Sequence, residues 1–556
     1  TIIVSAPGFE GEALDGLRLA PGGQAPLRIA LAPTAADVIT VTGQAISRQD
    51  LNAGVGSNFT ARDVANQPSL SRDVISTLNR DPLAISGGPN NLSVAGVNPR
   101  FNGVTIDGAR QQDNFGLGSN TFATARSPIN IDIIESVSLV ASDYSVTSSG
   151  FTGGLVNVTT RGGTNEIEGA AFYYYRDQDW VGSSTFGGEG NFNPGQFEEK
   201  EYGISIRGPI VRDRLFFSFS YDRFETASQV DFTASDASNS LSPNFFSTLN
   251  QMVQDTYGID MQGRPQQGAV PEETERWFLR LDWNINDNHR LQVNYQKVED
   301  SGVSNIGSGN FQSAWYDTPT TLENYTVQLF SDWTPELSTE LRASYIDFVR
   351  GQNCRAGTDT GQLEFRLNAA NVVGTPLEGL ISHTGNPLTF IGGCDRFRHA
   401  NEYEDQRLQL FARADYTWND FIFTVGGEYE NLDLYNMFVE RSSGAFVFTG
   451  AQNILDRVAN IQYRNVPSNV ARDGAAEWGY SRWVGFGQVR WQALPTLELT
   501  GGLRYERIST DDQPTFDPTF EQAVGFDNTT TTDGLDLWMP RVSFRWDALD
   551  RTTVTG

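Results

Sequence analysis

The chain has 556 residues and a formal net charge of −28, from 40 Lys and Arg against 68 Asp and Glu. This negative charge argues against nucleic-acid binding, which needs basic surfaces. No run of 18 or more apolar residues occurs, so transmembrane helices are excluded and only β-structure could span a membrane.

The first 43 residues read as short β-strands with a linker. Residues 1–5 predict a strand. The segment DVITVTG (37–43) is rich in Val, Ile and Thr. Such an extended peptide could add to the sheet edge of a partner protein. The alternative is a plain linker strand between two domains.

Residues 44–163 predict a compact α+β domain. A helix is expected over 70–80, capped by Ser69 or Ser71. Short strands are expected at 91–96, 102–108, 134–142 and 154–161. The length of this domain suits a plug inside the lumen of a large barrel.

From about residue 167 onward, apolar and polar residues alternate with period two, as in LQVNYQ (291–296). Short turns alternate with long polar connections, which are expected near 177–198, 226–273, 300–319, 352–402, 440–475 and 508–536. Short turns at one end of the strands and long loops at the other end are typical of an outer-membrane barrel. The polar face carries too many charges for the packed interior of a β-sandwich or propeller.

The fold prediction is therefore mainly β: an antiparallel transmembrane barrel over 164–556. About twelve strands and half of a thirteenth are expected here, out of some 22. Aromatic residues near strand ends are expected to form interfacial girdles. They are Tyr173, Tyr174, Tyr175, Trp277, Trp283, Trp333, Trp418, Trp491 and Trp546.

Cys354 and Cys394 lie in one Gly/Asn/Thr-rich stretch and predict a disulfide, with two free thiols as the alternative. His289, His383 and His399 lack metal-ligand spacing, so no metal site is predicted. No nucleophile, nucleotide-binding or metalloprotease motif occurs, so no catalytic residue and no cofactor are expected.

Two segments resemble the plug and first strand of TonB-dependent outer-membrane receptors, most closely the Oar-like branch. They are VNPRFNGVTIDG (97–108) and 130–177, which begins NIDIIESVSLVAS. The plug-motif positions are occupied by Arg100, Asn102, Asp107, Gly108, Gly153, Gly154 and Asn157. The resemblance implies the C-terminal part of a carboxypeptidase-regulatory-like β-sandwich at 1–35, a TonB-box-like linker at 36–43, a plug at 44–163 and the N-terminal part of a barrel at 164–556.

The resemblance implies import through the outer membrane of a Gram-negative bacterium, energised by TonB with ExbB and ExbD. TonB would grip Val38, Ile39, Thr40, Val41, Thr42 and Gly43. An oligosaccharide, peptide or siderophore would dock on the plug apex, at Asn90, Asn91, Arg110, Gln111, Gln112, Asp113 and Asn114. The alternative is an outer-membrane adhesion or structural protein that transports nothing. A passive porin is disfavoured by the plug.

Overall fold

The computed structural model describes residues 2–4, 12–14, 55–66, 72–88, 91–112, 114, 121–181, 197–549 and 552–556. The predicted TonB box, most of the segment 1–35, Ser69, Ser71, Asn90 and Asp113 lie outside these residues. None of the helices in the described ranges is long and apolar enough to cross a membrane.

The described elements are predominantly strands. The strands are β1 (Ile2–Val4), β2 (Glu12–Leu14), β3 (Val55–Thr60), β4 (Ala84–Gly88), β5 (Asn91–Val94), β6 (Gly103–Ile106), β7 (Ala109–Arg110), β8 (Ile134–Ser142), β9 (Leu155–Thr160), β10 (Glu168–Asp177), β11 (Glu198–Val211), β12 (Leu215–Asp231), β13 (Gln267–Asn286), β14 (His289–Ser301), β15 (Val303–Ser304), β16 (Tyr316–Asp317), β17 (Thr320–Asp332), β18 (Leu337–Gly351), β19 (Asn353–Cys354), β20 (Gln362–Leu367), β21 (Leu388–Gly392), β22 (Asn401–Trp418), β23 (Phe421–Phe438), β24 (Ala445–Thr449), β25 (Asn460–Gln462), β26 (Ala476–Leu494), β27 (Leu497–Ser509), β28 (Asp536–Leu549) and β29 (Thr552–Thr555). The helices are α1 (Ala61–Ala65), α2 (Val74–Leu78), α3 (Thr233–Ser238), α4 (Phe245–Tyr257), α5 (Ala451–Leu455) and α6 (Pro518–Val524).

The described residues from 55 to 160 form a small α+β fold, as predicted, which we call the inner unit. Its sheet has the order β3-β8-β9-β6-β7, with β6 and β9 parallel and the other pairs antiparallel. The strands expected at 134–142 and 154–161 are β8 and β9. Fully buried aliphatic side chains such as Val74, Leu92 and Val137 make its core.

Helix α2 is shorter than the predicted helix over 70–80. It begins at Val74, because the Asp73 carboxylate accepts the Ile75 N–H at 2.9 Å and thereby caps the first turn. The same carboxylate accepts the Ser127 N–H at 2.9 Å, so the cap also fixes a distant loop of the inner unit.

The second large body is one antiparallel sheet of 13 strands, which we call the wall. Its order is β10-β11-β12-β13-β14-β17-β18-β22-β23-β26-β27-β28-β29. The prediction of twelve strands and a partial thirteenth is confirmed, and β10 and β29 form the two edges of an open sheet. Apolar residues such as Trp277 and Leu279 lie exposed on one face, whereas Arg276 and Asn294 are buried on the other.

The prediction that Tyr173, Tyr174 and Tyr175 all reach the outer girdle is wrong for one of them. Neighbours along a strand point to opposite faces. Tyr173 stacks on the exposed face with Tyr202, at a ring distance of 6.3 Å. Tyr174 lies on the inner face, 5.3 Å from the guanidinium of Arg72 in the inner unit.

Four of the long connections pack together into a folded structure that we call the cap: 232–266, 302–319, 352–400 and 439–475. Strand β20 pairs antiparallel with β21 and parallel with β24, which pairs with β25. The core of the cap includes Phe245, Phe311, Phe365, Phe390 and Ile454, all at most 2% exposed. The prediction of plain polar loops is therefore wrong for these connections.

Candidate functional site

On one side, which we call the sealed side, segment 121–130 of the inner unit lies directly against β13 and β14. Arg276 of β13 donates to the carbonyl oxygens of Ser127 at 2.9 Å and Ile129 at 3.3 Å. Its guanidinium also bonds the Asp222 carboxylate from Nε at 2.8 Å. Since Arg276 is 3% and Asp222 0% exposed, this ion pair is shielded from solvent.

Strand β14 adds two more bonds to the sealed side. The Gln296 amide donates to the Pro128 carbonyl at 2.5 Å, and Asp300 accepts the Ala125 N–H at 2.7 Å. These bonds hold backbone groups that would otherwise be buried without partners. Segment 121–130 is therefore fixed to the wall by side chains that reach inward from two adjacent strands.

The predicted motif residues Asp107 and Gly108 form the turn between β6 and β7, with φ of 47° and 80°. The Asp107 carboxylate accepts the Thr160 N–H at 2.9 Å, the Thr160 hydroxyl at 2.6 Å and the Asn294 amide at 2.6 Å. A Cβ on Gly108 would lie 1.9 Å from the Arg342 guanidinium. This turn thus joins the hairpin, the last inner strand and the wall, and its glycine permits the close approach.

The predicted motif residues Asn102, Gly153 and Gly154 also come together. Asn102 donates to the Leu92 carbonyl at 2.7 Å and accepts the Gly154 N–H at 2.8 Å. A Cβ on Gly154 would meet side-chain atoms of the buried Val94 at 2.6–2.8 Å. Gly154 therefore lets β9 lie close to the β4–β5 hairpin.

We expect Gly154→Ala to destabilise the inner unit by about 1–3 kcal/mol, because the added methyl group overpacks a filled core. Hydrogen exchange of β5 and β9 in the full-length protein measures the effect. Gly501→Ala is the matched control, since a Cβ there meets no atom within 4 Å. Equal protection in the two variants would contradict the packing argument.

The remaining motif residues are separate from these contacts. Asn157 accepts the Thr105 hydroxyl at 2.6 Å and faces a cavity described below. Arg100 is exposed, and its backbone N–H bonds the side chain of Asn98 at 3.1 Å. The sequence pattern therefore groups residues that the structure places in different surroundings.

Arg110, predicted at the plug apex, lies against the wall. Its backbone N–H donates to Gln409 at 3.1 Å, and its carbonyl accepts the Gln409 amide at 3.2 Å. Its guanidinium bonds the Ser149 hydroxyl at 2.6 Å and lies 3.6 Å from Glu428. Burial, followed by the positive charge of Arg482, lowers the pKa of Arg110.

The other predicted apex residues divide between two surroundings. Gln111 is 3% exposed and donates to Gln296 at 2.7 Å, so it also belongs to the contact with the wall. Asn91, Gln112 and Asn114 are half-buried. A role of these residues in contacting substrate stays a prediction.

Arg110 belongs to a group of five charged residues, the ion cluster, which also comprises Glu428, Glu430, Arg482 and Arg504. Arg504 is fully buried and bonds Glu428 twice at 3.0 Å. It also donates from the wall to the inner unit, to the Val146 carbonyl at 2.9 Å and the Ser149 hydroxyl at 2.8 Å. The sequence did not identify this cluster.

A cavity of about 1160 Å³ lies between the inner unit and the wall. It extends from the ion cluster to the short turn that includes Thr334 and Glu336. Asn157 and Thr147 line it on the inner unit, and Thr424 lines it on the wall. A polar cavity of this size holds water.

In the cap, Cys354 and Cys394, the predicted pair, are bonded to each other, and their Cα atoms lie 5.4 Å apart. His399 is 5% exposed and connects this disulfide to another connection of the cap. Its Nε2 lies 3.1 Å from the Cys394 carbonyl, and its Nδ1 accepts the Ser443 N–H at 3.1 Å. The neutral ring with a proton on Nε2 satisfies both bonds.

We expect the cap to lose stability as the pH falls below about 6.5. Burial lowers the pKa of His399 below its ordinary value, so the unfolded cap binds more protons than the folded cap in that range. A proton on Nδ1 would also remove the acceptor for the Ser443 N–H. Limited proteolysis of the cap at pH 7.5 and pH 5 measures the loss.

His399→Gln should make this proteolysis much less dependent on pH, whereas His383→Gln should leave the dependence as in the wild type. Persistence of the full pH response in His399→Gln would contradict the assignment to this ring. In the described ranges, no three His, Cys, Asp or Glu side chains are grouped as metal ligands.

The fold and sequence match known outer-membrane proteins. The family model of the outer membrane beta barrel domain matches residues 159–269 and 244–556. The chain is 24% identical over 203 residues to the TonB-dependent transporter Oar of Myxococcus xanthus, which covers 34% of this chain and 18% of that protein.

Solved structures show the same fold. The outer membrane transporter YddB from Escherichia coli aligns with a TM-score of 0.60 and 12% identity, over 89% of this chain and 59% of that one. The siderophore receptor PirA from Acinetobacter baumannii aligns with a TM-score of 0.54 and 14% identity, over 91% and 60%. This chain spans about three fifths of those structures and less than a fifth of Oar. With its family model covering more than half of its length, the chain belongs to the outer-membrane β-barrel family, whose members lie in the outer membrane of Gram-negative bacteria.

Proposed function

We propose that this chain belongs to a TonB-dependent transporter that imports a substrate through the outer membrane. The observation that carries the proposal is the folded inner unit, which is held against the inward face of the wall by hydrogen bonds and ion pairs. The naming of the relative Oar as a TonB-dependent transporter supports it. The proposed domains are the C-terminal part of a carboxypeptidase-regulatory-like β-sandwich at 1–35, a TonB-box-like linker at 36–43, a plug at 44–163 and the N-terminal part of the barrel at 164–556.

In the proposed mechanism, TonB pairs with residues 38–43 by strand addition and pulls, driven by ExbB and ExbD. The polar contact between the inner unit and the wall suits such a movement. Bonds like those of Arg110 and Gln409 can be replaced by bonds to water at small net cost, whereas a dry apolar interface could not be separated so easily.

The proposed substrate is an oligosaccharide, a peptide or a siderophore. It would first contact the inner unit around residues 90–91 and 110–114. Two solved structures with this fold are described as siderophore receptors. This likeness supports a siderophore among the three proposed substrate classes.

Deleting residues 37–43 tests energy coupling. We expect the deletion to abolish TonB-dependent depletion of nutrients from the medium, measured by mass spectrometry on cells carrying the full-length receptor. The barrel should still fold, because the deleted segment precedes the inner unit, and heat-modifiable migration in gels checks this. Depletion that continues at the wild-type rate would refute the TonB-box assignment.

A second candidate function is adhesion or a structural role at the cell surface. The observation that favours it is the cap, because four connections with a shared apolar core resemble a folded surface domain more than a set of separate loops. The test compares a strain that lacks the receptor with the wild type. If the strain attaches less well but depletes nutrients as the wild type does, this second function is favoured.

A further inference from the structure

The outward face of the wall carries two rows of aromatic side chains. One row lies near the short turns and includes Trp333 and Trp491, and the other lies nearer the cap and includes Tyr325, Tyr345 and Trp483. These side chains are 38–57% exposed. Because aromatic rows flank the apolar band of a membrane barrel, the row nearer the cap marks the level of the lipid head groups in the outer leaflet.

Five carboxylates on adjacent strands lie just beyond this second row, on the side of the cap. Each is an even number of positions from an outward-facing aromatic or apolar residue of its strand, so its side chain points to the same face. They therefore lie at the level of the lipid head groups. We call this set the carboxylate belt: Glu323 of β17, Asp347 of β18, Glu404 of β22, Asp433 of β23 and Glu477 of β26.

The carboxylate belt is electrostatically unfavourable by itself. Glu323 lies directly opposite Asp347 on the neighbouring strand, and Gln406 alone separates Asp347 from Asp433 in the same cross-strand row. Like charges in directly opposite positions destabilise a sheet. A positive partner outside the wall would relieve this repulsion.

Cations of the protein balance the carboxylate belt only in part. Lys297 lies 4.0 Å from Glu323, but its closer partner is Glu299 at 2.9 Å. Near the β26 end of the belt, Arg472 of the cap contributes one positive charge, 5.6 Å from the ring of Tyr435. In the part of the chain that the structure describes, the belt members on β18 and β23 form no ion pair.

The polar ends of the aromatic row are already bonded within the wall. The Tyr325 hydroxyl donates to Glu323 at 2.8 Å, and on β13 the Trp277 Nε1–H donates to Glu275 at 2.7 Å. Interfacial Tyr and Trp rings have one apolar end and one polar end that seeks a hydrogen-bond partner. Here carboxylates of the wall accept these bonds, so the surface uses its own donors and presents acceptors to the head groups.

We propose that the carboxylate belt binds outer-leaflet lipids through head groups that carry an ammonium group, and that it disfavours head groups whose only charge is a phosphate. The belt is continuous with the apolar surface that faces lipid, which makes a lipid head group its occupant. An ammonium supplies the positive charge and the N–H donors that a row of carboxylates lacks. The inference goes beyond the proposed transport function and rests on the outer-membrane location alone.

Lipid retention tests the proposal. The purified full-length receptor is reconstituted with equal amounts of phosphatidylethanolamine and phosphatidylglycerol in EDTA, and native mass spectrometry counts the lipids that remain after detergent exchange. We expect phosphatidylethanolamine to be retained at least about threefold more than phosphatidylglycerol, since each charge near a membrane surface shifts binding by about this factor or more. Equal retention, or more phosphatidylglycerol, would overturn the proposal. Strong retention of phosphatidylglycerol that appears only when magnesium replaces EDTA would assign the belt to a bridging cation and overturn the ammonium assignment.

Neutral variants locate the effect. The enrichment should fall to less than about half in a triple variant of the belt, and heat-modifiable migration in gels checks that its barrel folds. This variant is Glu323→Gln, Asp347→Asn, Asp433→Asn. The matched control removes the same charge from exposed carboxylates of the cap and should keep the wild-type enrichment. The control is Asp255→Asn, Asp359→Asn, Asp456→Asn. An equal loss in both triple variants would mean that net charge alone selects the lipid, which would overturn the role of the belt.

Discussion

Arg276→Met should lower the free energy of unfolding of the receptor by about 3–5 kcal/mol, the cost of breaking a buried ion pair by removing one partner. The fully buried Asp222 carboxylate would lose the guanidinium that now bonds it. The carbonyl oxygens of Ser127 and Ile129 would lose their donor at the same time. Thermal unfolding of the purified receptor, followed by gel mobility and circular dichroism, measures the loss.

Arg207→Met is the matched control for this variant. Arg207 pairs with Glu168 at 2.5 Å, but the two side chains are 22% and 48% exposed. Exposed pairs contribute about 0–1 kcal/mol, so this variant should unfold close to the wild type. If both variants unfold alike, the sealed side contributes no more than a surface ion pair, and our description of it is wrong.

Removing the disulfide should destabilise the cap by about 4 kcal/mol, with little effect on the wall. Cys354 and Cys394 are 40 residues apart in the chain, and a loop of that length corresponds to this loss in the chain-entropy account, within a usual range of about 2–5 kcal/mol. Hydrogen exchange in a Cys354→Ser, Cys394→Ser double variant should rise in 352–400 and stay low in β13 and β14.

Reduction of the wild-type receptor provides the control, because it opens the same bond without placing new hydroxyl groups in the cap. Both samples should show increased exchange in the same segments. Unchanged exchange in the cap of both would mean that its apolar core alone holds the four connections together. Faster exchange in the wall strands would mean that the cap and the wall unfold as one unit.

The wall was predictable because its two faces contact different surroundings. In β14, outward residues such as Val293 alternate with buried amides such as Asn294, and this contrast is local in the sequence. The cap was not predictable by the same route. Its strands are two to six residues long, as in β25 and β20, and their apolar residues become a core only when separate connections meet.

The candidate site was predictable in part. The pattern marked Asp107 and Gly108, and their positive φ explains why those residue types occur in the turn. It did not reveal that Asp107 bonds Asn294, which is 187 positions away. The ion cluster was missed for the same reason, since Arg110 and Glu428 belong to different bodies and no periodicity relates them.

The construction of the cap has a consequence for how this protein can vary between strains and species. Surface loops usually diverge independently, because each tolerates change without affecting the others. Here Phe365 stacks on Phe448 at 5.5 Å, and Phe246 contacts Phe311 at 5.3 Å, so each aromatic residue depends on one from another connection. We expect the four connections to change together or be exchanged as a block, and an insertion into one of them to require adjustment in the other three.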